Sequence, residues 1–478
     1  MAEKGIRAKI KSFFGVQDMT RGEPLHVLVR FSVPLLLGNF AQQLYSTVDS
    51  IIVGNNVEGG LAAIGSTMPI VNLLLVLFMA IATGAGIMVS QFFGAGDLKR
   101  LGKAIGNTLV LITLASLLMM GIAIPLARPM LHLLDTPPEI IGMAERYMQI
   151  IFIGILGSAY YNIVSGILRG LGDSFVPLLF LLFSTVLNTI LDLVFVLRLD
   201  WGVSGAAFAT IISQAVSAVF CLIRLYRMPK INKVKKEDLI PNFRMMRELM
   251  RLGIPAGITH GIFSLAMIMV QNLTNRMGTV VIEANTAVIR VDGFAMQPNF
   301  TFGMAATTYI GQNIGAREEE RVVKGSKTIS RLAFGVSLAL TLLILLFGRQ
   351  ILSLFTSEQQ VIQIGYRMMV ILSVGYIAVS QTQVFGGIMR GAGDTMPAMW
   401  ISLASTVGLR VPLAYFLCSV TRSAEWPAGS PYMLSVSLMA SWVVGALLTW
   451  GWYRRGKWKD KRILPARESR IPEQSREG

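Results

Sequence analysis

The stretch FSVPLLLGNFAQQLYSTVDSIIV, residues 31–53, is apolar for long enough to cross a bilayer. It nevertheless carries Gln42, Tyr45 and Asp49, which are three and four residues apart and so share one face of an α-helix. A carboxylate inside a membrane span is costly and by default marks the path of an ion or a substrate. We therefore expect the rest of the chain to enclose this polar face and to give it access to either side of the membrane in turn.

The composition is typical of a chain that crosses the membrane many times. Of its 478 residues, 53% are hydrophobic and 15% are charged, and the mean hydropathy is +0.59. A soluble globular protein would carry about 25% charged residues. The apolar residues also fall into runs of roughly twenty, separated by short polar loops. These features predict an all-α polytopic membrane protein.

The formal charge of +16 is distributed unevenly between the loops. Basic residues cluster at 99–103, 224–247, 317–327 and 454–462, whereas the intervening loops hold isolated cations. The positive-inside rule places the clustered loops, and with them both termini, in the cytoplasm. Because the basic residues follow the loops and form no single stripe, they argue against a nucleic-acid partner.

Neither the cysteines nor the histidines form a recognisable site. Cys221 and Cys418 lie in apolar segments and are interpreted as buried thiols. His26, His132 and His260 show no metal-ligand spacing, so no zinc site and no cofactor are expected.

Apolar runs and their breaks predict twelve transmembrane helices. Their predicted bounds are 27–53, 61–93, 104–126, 140–168, 175–197, 204–226, 248–275, 280–313, 328–348, 361–388, 396–418 and 432–453. They define an N-terminal six-helix lobe over 27–226 and a C-terminal six-helix lobe over 248–453. An N-terminal cytoplasmic segment (1–26), a cytoplasmic linker (227–247) and a cytoplasmic tail (454–478) complete the chain.

The N-terminal segment contains IRAKIKSFFGV, residues 6–16, in which basic and apolar residues alternate. It is too short to span a membrane. Two interpretations stay open: the segment lies on the cytoplasmic membrane surface, or it is a frayed basic tail.

The two predicted lobes are sequence repeats with a constant offset of 221 residues, as between Arg30 and Arg251. At that offset RFSVP matches RLGIP, SQFFGAG matches GQNIGAR, and GILRGLGD matches GIMRGAGD. Three ungapped matches indicate a tandem duplication. An even number of helices gives both copies the same orientation, so we expect a pseudo-twofold axis along the membrane normal and a cavity between the lobes.

A second carboxylate is predicted to face the first. Asn188 and Asp192 are four residues apart and share one face of the predicted fifth helix. If the first and fifth helices start at the cytoplasm, Asp49 and Asp192 both lie in the outer half of the membrane. Such a pair is suited to holding a proton, or a Na⁺ ion together with Asn188. The alternative is a structural pair satisfied by hydroxyls and amides.

The C-terminal lobe lacks both carboxylates. Asp49 aligns with Val270, and Asp192 aligns with Pro412 or Leu413. Ion handling is therefore expected in the N-terminal lobe.

The C-terminal lobe has charged residues of its own. Arg290 and Asp292 lie two apart on the predicted eighth helix and so point in different directions. Together with Gln297 they are candidates to contact substrate in a cavity, the alternative being a structural ion pair. Arg410, on the predicted eleventh helix, is a candidate partner for Asp292.

The repeated RGxGD elements, at 169–173 and 390–394, are predicted to be short cytoplasmic turns. Their Arg and Asp residues can cap helix ends or pair. They lack the strand and the Lys–Ser/Thr of a phosphate-binding loop, so nucleotide binding is not expected.

Several stretches together resemble the multidrug and toxic compound extrusion (MATE) family, over about residues 20–455. They are PLLLGNFAQQLYSTVDSIIVG, LAAIG, SQFFGAGD, GILRGLGD, LNTILDLVFV and GAAFATIIS. The resemblance implies twelve helices in two six-helix lobes, and efflux driven by exchange for H⁺ or Na⁺. The pattern is most similar to the bacterial DinF-like branch, whose ion site lies in the N-terminal lobe.

This resemblance also implies roles for individual residues. The positions that match the family's ion site are Gln42, Tyr45, Asp49, Asn188, Asp192 and Thr210. Pro34 matches a proline at which the first helix of the family is proposed to bend. The NorM-like branch places an acidic residue in the seventh helix, and GIPAGITHGIFSL offers none here.

The predicted function is that of a secondary active multidrug efflux transporter in the bacterial inner membrane. As a monomer, it would export cationic or amphipathic organic molecules in exchange for H⁺ or Na⁺ by alternating access. The main alternative is a flippase for a lipid-linked oligosaccharide, although its pyrophosphate would favour a cation-lined cavity and the candidate face is acidic. An intramembrane enzyme would need clustered His, Asp or Lys residues on facing helices, and the scattered histidines argue against it.

Overall fold

The computed structural model describes residues 16–228 and 235–463. Within these ranges the chain is helical and contains no β-strand. Most of IRAKIKSFFGV, residues 229–234 of the predicted linker and the tail from 464 onward lie outside the described residues.

Twelve helical segments, α1–α12, make up the described chain. Their bounds are α1 Pro24–Asn56, α2 Gly60–Gly94, α3 Leu98–Leu133, α4a Pro138–Ile153, α4b Ile155–Gly170, α5 Phe175–Arg198, α6 Gly202–Tyr226, α7 Phe243–Asn275, α8a Thr279–Ala295, α8b Gln297–Ala316, α9 Glu319–Ser353, α10 Gln359–Ala392, α11 Met396–Val420 and α12 Tyr432–Arg454. In this part of the chain, ten segments are individually long and apolar enough to cross a membrane, and α4a with α4b makes an eleventh. The remaining segment, α8, carries Glu283, Arg290 and Asp292 in its first half and is less apolar for that reason.

Two helices that the sequence predicts to be continuous are broken. The axes of α4a and α4b differ by 51° at Gly154. A Cβ atom on Gly154 would lie 2.2 Å from Cγ2 of Ile211, so α6 can pack there only against glycine. In α8 the break falls at Met296, because Pro298 in the first turn of α8b has no N–H to continue the hydrogen-bond ladder of α8a.

The second half of the predicted linker is ordered against the N-terminal lobe. It contains a short 3₁₀ turn, Lys236–Leu239, and α7 already begins at Phe243. Asn107 of α3 accepts a hydrogen bond from the backbone N–H of Asn242 at 2.6 Å, and Asn242 in turn caps α7. This segment thereby ties the start of the second lobe to the first.

The turn between α4b and α5 confirms the role predicted for the first RGxGD element. Asp173 accepts a hydrogen bond from the backbone N–H of Val176 at 3.1 Å and an ion-paired one from Arg224 at 2.9 Å. It thus caps the start of α5 and joins it to the end of α6. Cys221 and Cys418 are both buried and free, as predicted.

Both α5 and α11 contain a π-helical segment, Leu193–Arg198 and Leu403–Arg410 respectively. The segment in α5 starts directly after Asp192, and the one in α11 ends at Arg410. Widened turns of this type occur often at functional sites. Asp192 and Arg410, two of the candidate site residues, therefore lie at a local change in helix geometry.

The lobes meet at the end of the bundle that carries both described chain ends, here called the terminal end. Their backbones approach so closely there that glycine is required: a Cβ on Gly94 would lie 1.9 Å from the carbonyl oxygen of Gln312. A Cβ on Gly253 would lie 1.9 Å from the carbonyl oxygen of Ala80. Small residues allow helices to pack at this distance. The glycine contacts between α2 and the second lobe run only over 76–94, the half of α2 next to the terminal end.

Candidate ion and substrate site

The N-terminal lobe encloses a cavity of about 520 Å³ between α1, α2, α4, α5 and α6. One stripe of α1 faces it, formed by Pro34, Gly38, Gln42, Tyr45 and Asp49. The spacings of four, four, three and four residues keep these positions on one side of the helix. The polar face recognised in the sequence is therefore a cavity wall.

Asp192 and Asn188 lie behind this wall and do not line the cavity. The side chain of Asp192 is 0% exposed and that of Asn188 is 1% exposed. The carboxyl groups of Asp49 and Asp192 face each other. The structure thus brings together the two acidic residues that the sequence placed on separate helices.

The polar atoms of this group lack hydrogen-bond partners in the described chain. Both carboxyl oxygens of Asp192, one of Asp49 and the amide nitrogen of Asn188 are buried without one. Burying a polar group unpaired costs free energy, and burying an ionised carboxylate costs more. A proton shared by the carboxyls, or a cation bound between them, would supply the missing interaction.

Of the three remaining predicted members of the ion site, Gln42 lies on the α1 stripe, and Tyr45 and Thr210 lie next to these acids. Thr210 of α6 lines the cavity, and the buried hydroxyl of Tyr45 lies beside Thr210 and Ser213 without a hydrogen bond of normal geometry. All six predicted positions are therefore grouped around one end of the N-terminal cavity. Their role in ion coupling stays a prediction.

Sequence reasoning missed several side chains of this site. Tyr147 of α4a is buried and faces the two acids and Tyr45, and Gln214 lines the cavity with a buried, unpaired carbonyl oxygen. The spacing of Thr210, Ser213 and Gln214 along α6 is a signal that could have revealed the α6 residues. Tyr147, in an otherwise ordinary amphipathic stretch, gave no comparable signal.

The C-terminal lobe has a separate cavity of about 340 Å³, between α7, α8, α10, α11 and α12. Asp292 lines it, accepts a hydrogen bond from the hydroxyl of Tyr376, and is attracted by Arg410 on the facing wall. The predicted pairing of Asp292 with Arg410 is therefore present as a longer-range interaction.

Arg290 and Gln297 are not brought to this cavity. Arg290 is exposed on α8a, one turn before Phe294, whose ring stacks on Phe40 of α1 at 6.4 Å. Because Arg290 and Phe294 share one side of α8a, that side of the helix faces the first lobe. Gln297 donates a hydrogen bond to the carbonyl oxygen of Gly293 at 3.2 Å, across the break in α8.

The described residues contain no group of three or more His, Cys, Asp or Glu side chains that could hold a metal ion. The oxygen atoms of Asp49, Asp192 and Asn188 are nevertheless of the hard type that alkali cations bind.

Comparison with known proteins supports the arrangement of the whole chain. The MatE family model matches residues 34–194 and 255–416, one match in each lobe. The probable multidrug resistance protein YpnP of Bacillus subtilis is 31% identical over 94% of this chain and 98% of its own length. YoeA, a second probable multidrug resistance protein of Bacillus subtilis, is 30% identical over 91% of this chain and 94% of its own length.

Solved structures share the fold. A MATE transporter crystallised in the bent conformation has a TM-score of 0.85 at 23% identity, covering 92% of this chain and 96% of that one. Such transporters have twelve spans in two six-helix lobes, as predicted for this chain. The matches favour efflux over the lipid flippase alternative. From the two repeats, the paired lobes and these matches, the chain belongs to the MatE family of multidrug and toxic compound extrusion transporters.

Proposed function

We propose that this protein exports organic molecules across the bacterial inner membrane by exchanging them for H⁺ or Na⁺, with Asp49 and Asp192 as the groups that hold the coupling ion. One observation carries the proposal: Asp192 is fully buried with both carboxyl oxygens unpaired, and it faces a second carboxyl group. A site arranged in this way is complete only when a proton or a cation occupies it.

The surrounding residues have distinct roles in this proposal. Asn188 supplies an amide oxygen to Na⁺ or a hydrogen bond to the protonated acid, and Tyr45 and Thr210 orient Asp49. Gln42 lies about one helical turn closer to the terminal end than Tyr45 does, on the path between the ion and the rest of the cavity. Pro34 provides the point at which α1 bends when the site changes its occupant.

The charge of the N-terminal cavity favours cationic or amphipathic substrates. Among the described residues, Asp49 and Arg169 are the carboxyl and guanidinium groups that line it, and Asp192 adds a second carboxyl group facing Asp49 from behind the wall. Ion uptake neutralises the acids and weakens the binding of a cation, which couples ion entry to substrate release. Secondary candidates for substrate contact are Asp292 in the C-terminal cavity and, outside that cavity, Arg290 and Gln297 on α8.

The conformation supports alternating access. The lobes are joined at the terminal end, and the glycine contacts between α2 and the second lobe stop at Val76. With both termini in the cytoplasm, as the positive-inside pattern favours, this state is closed to the cytoplasm. A monomer suffices for this cycle because both lobes lie in one chain.

The test uses purified protein in liposomes loaded with the fluorescent cation ethidium, with a pH gradient and a Na⁺ gradient imposed separately. We expect ethidium movement to follow one gradient and to be lost in Asp49→Asn. Asp135→Asn is the matched control, since Asp135 lies in the loop between α3 and α4a and is exposed. Gradient-driven transport in folded Asp49→Asn at the wild-type rate would refute the proposed ion site.

A further inference from the structure

The charge balance of the C-terminal cavity differs from that of the N-terminal one, whose walls carry one acid, Asp49, and one base, Arg169, with Asp192 behind them. The charged residues that line the C-terminal cavity are Asp292, Arg390 and Arg410, so basic groups exceed acidic ones by one. We propose that this cavity is a second ligand site that binds amphipathic organic anions, with the guanidinium of Arg410 as the anchor for the anionic head. The proposal concerns binding alone and does not depend on the coupling role of Asp49 and Asp192.

The carboxyl group of Asp292 is already engaged and does not neutralise Arg410 directly. It accepts the hydrogen bond of Tyr376, whose ring packs against Trp442 with centroids 5.9 Å apart. The direct ion pairs among the described residues are four others, none of which involves Asp292 or Arg410. Asp292 is thereby held on its own wall of the cavity.

Arg410 keeps unused hydrogen-bonding capacity. Its Nε atom is buried and has no hydrogen-bond partner in the described chain. A guanidinium group binds a carboxylate through two parallel N–H donors, and Nε with one terminal nitrogen forms one such pair. A carboxylate or sulfonate that enters the cavity would satisfy this donor, whereas an entering ammonium group would add another cation beside it.

Arg390 adds a second positive charge at the other end of the same cavity. Its guanidinium lies beside Gly386, one turn earlier on the same helix: a Cβ atom built on Gly386 would be 3.3 Å from Arg390 Nη1. The fourteen positions from Tyr376 to Arg390 on α10 correspond to a rise of about 21 Å. The two arginines therefore lie apart along the cavity and do not crowd one head group.

The remaining walls suit the apolar body of such a ligand. Phe263, Met267, Met296, Phe300 and Trp442 line the cavity together with the charged groups. Aromatic and methionine side chains accept varied ring systems at low cost. An aromatic carboxylate combines the head and the body that these walls favour.

The experiment compares three probes with one naphthalene body: 2-naphthoate, 2-naphthylmethanol and 2-naphthylmethylammonium. Binding to the full-length protein in nanodiscs of neutral lipid is followed by equilibrium dialysis and by quenching of tryptophan fluorescence. We expect naphthoate to bind roughly tenfold or more tightly than the alcohol, as one charge-assisted hydrogen-bonded pair would give. We expect Trp442→Phe to remove most of the naphthoate-dependent quenching, which locates the probe.

Three variants assign the anchor. Arg410→Gln should abolish the preference for naphthoate over the alcohol, and the double variant Asp292→Asn, Arg410→Gln should do so without leaving Asp292 as an unbalanced acid. Arg422→Gln is the control, because Arg422 is exposed in the loop between α11 and α12, and it should leave the preference unchanged. Equal binding of all three probes, or tighter binding of the ammonium probe that depends on Asp292, would overturn the proposal. Unchanged naphthoate binding in the folded double variant would also overturn the proposal.

Discussion

Gln91 and Gln312, which occupy equivalent positions in the two repeats, each reach across to the opposite lobe and hydrogen-bond equivalent glycines. The side-chain amide of Gln91 donates to the carbonyl oxygen of Gly391 at 2.8 Å, and that of Gln312 donates to the carbonyl oxygen of Gly170 at 2.9 Å. Both glutamines are 0% exposed. The pair forms a reciprocal clasp, here called the glutamine clasp, that closes the terminal end.

The two described chain ends complete this clasp. The backbone N–H of Met19 donates to Oε1 of Gln312, and that of Ile463 donates to Oε1 of Gln91, each at 3.0 Å. Every side-chain oxygen and one N–H of each glutamine are therefore used. Opening the terminal end would break the two glutamine-to-glycine hydrogen bonds that cross between the lobes.

Removal of the glutamine clasp should favour the state that is open at the terminal end. Gln91→Ala leaves the buried carbonyl of Gly391 and the N–H of Ile463 unpaired, which costs the closed state about 1–3 kcal/mol. That shift changes the ratio of the two states roughly 5- to 150-fold. Spin labels at Lys99 and Lys324, in a background with Cys221 and Cys418 replaced by alanine, report the separation of the lobes.

We expect the fraction of molecules with a longer distance between the labels to increase in Gln91→Ala. It should increase further in the double variant Gln91→Ala, Gln312→Ala. Gln149→Ala serves as the control, because Gln149 bonds only to Glu145 of its own helix. Unchanged distances in the double variant would show that the clasp does not hold the lobes.

The close backbone contact between Gly94 and Gln312 should also stabilise the closed terminal end. Gly94→Ala places a Cβ against the backbone of Gln312, which cannot move aside as a flexible side chain could. Overpacking of this kind costs about 1–3 kcal/mol. We expect a lower Tm, whereas Gly121→Ala, with open space around its Cβ position, should leave the Tm unchanged or raise it slightly. An equal Tm for Gly94→Ala would mean that the lobes separate there without cost.

Neutralising Asp192 should abolish transport without destabilising the fold. Its carboxyl oxygens accept no hydrogen bond from the residues that the structure describes, so Asp192→Asn removes an unfavourable buried charge and little else. We expect an unchanged or higher Tm and roughly tenfold or more slower efflux of ethidium.

Asp173→Asn is the informative comparison for Asp192→Asn. Asp173 is equally buried but binds Arg224 and caps α5, so its neutralisation should lower the Tm. If Asp192→Asn lowered the Tm as much as Asp173→Asn does, the acid pair would be structural.

The repeat offers a control for the bending of α1. Pro34 and Pro255 occupy equivalent positions in α1 and α7. Proline lacks an N–H and crowds the preceding turn, so Pro34→Ala should stiffen α1 and slow efflux while the cavity still binds ethidium. Pro255→Ala should slow efflux less, since α7 carries no ion site. Equal slowing by both variants would show that bending at Pro34 has no special role.

Local sequence determined the features that depend on contiguous residues. Runs of apolar residues identified the spans, because hydrocarbon thickness sets their length, and the 221-residue offset revealed the two lobes. The polar face of Gln42, Tyr45 and Asp49 followed from helical periodicity alone. The break at Gly154 was missed, because it is forced by Ile211 on another helix, whereas Pro298 is a local signal for the break at Met296.

Tertiary structure decided which residues meet between helices. The sequence predicts that Asp49 and Asp192 face each other from separate spans, and packing adds Tyr147 beside them, which the sequence did not indicate. Packing also separates Arg290 from the cavity that Asp292 lines, and it brings Arg390, predicted to be a turn residue, into that cavity. Helix packing couples positions far apart in the chain, and one sequence contains no record of those couplings.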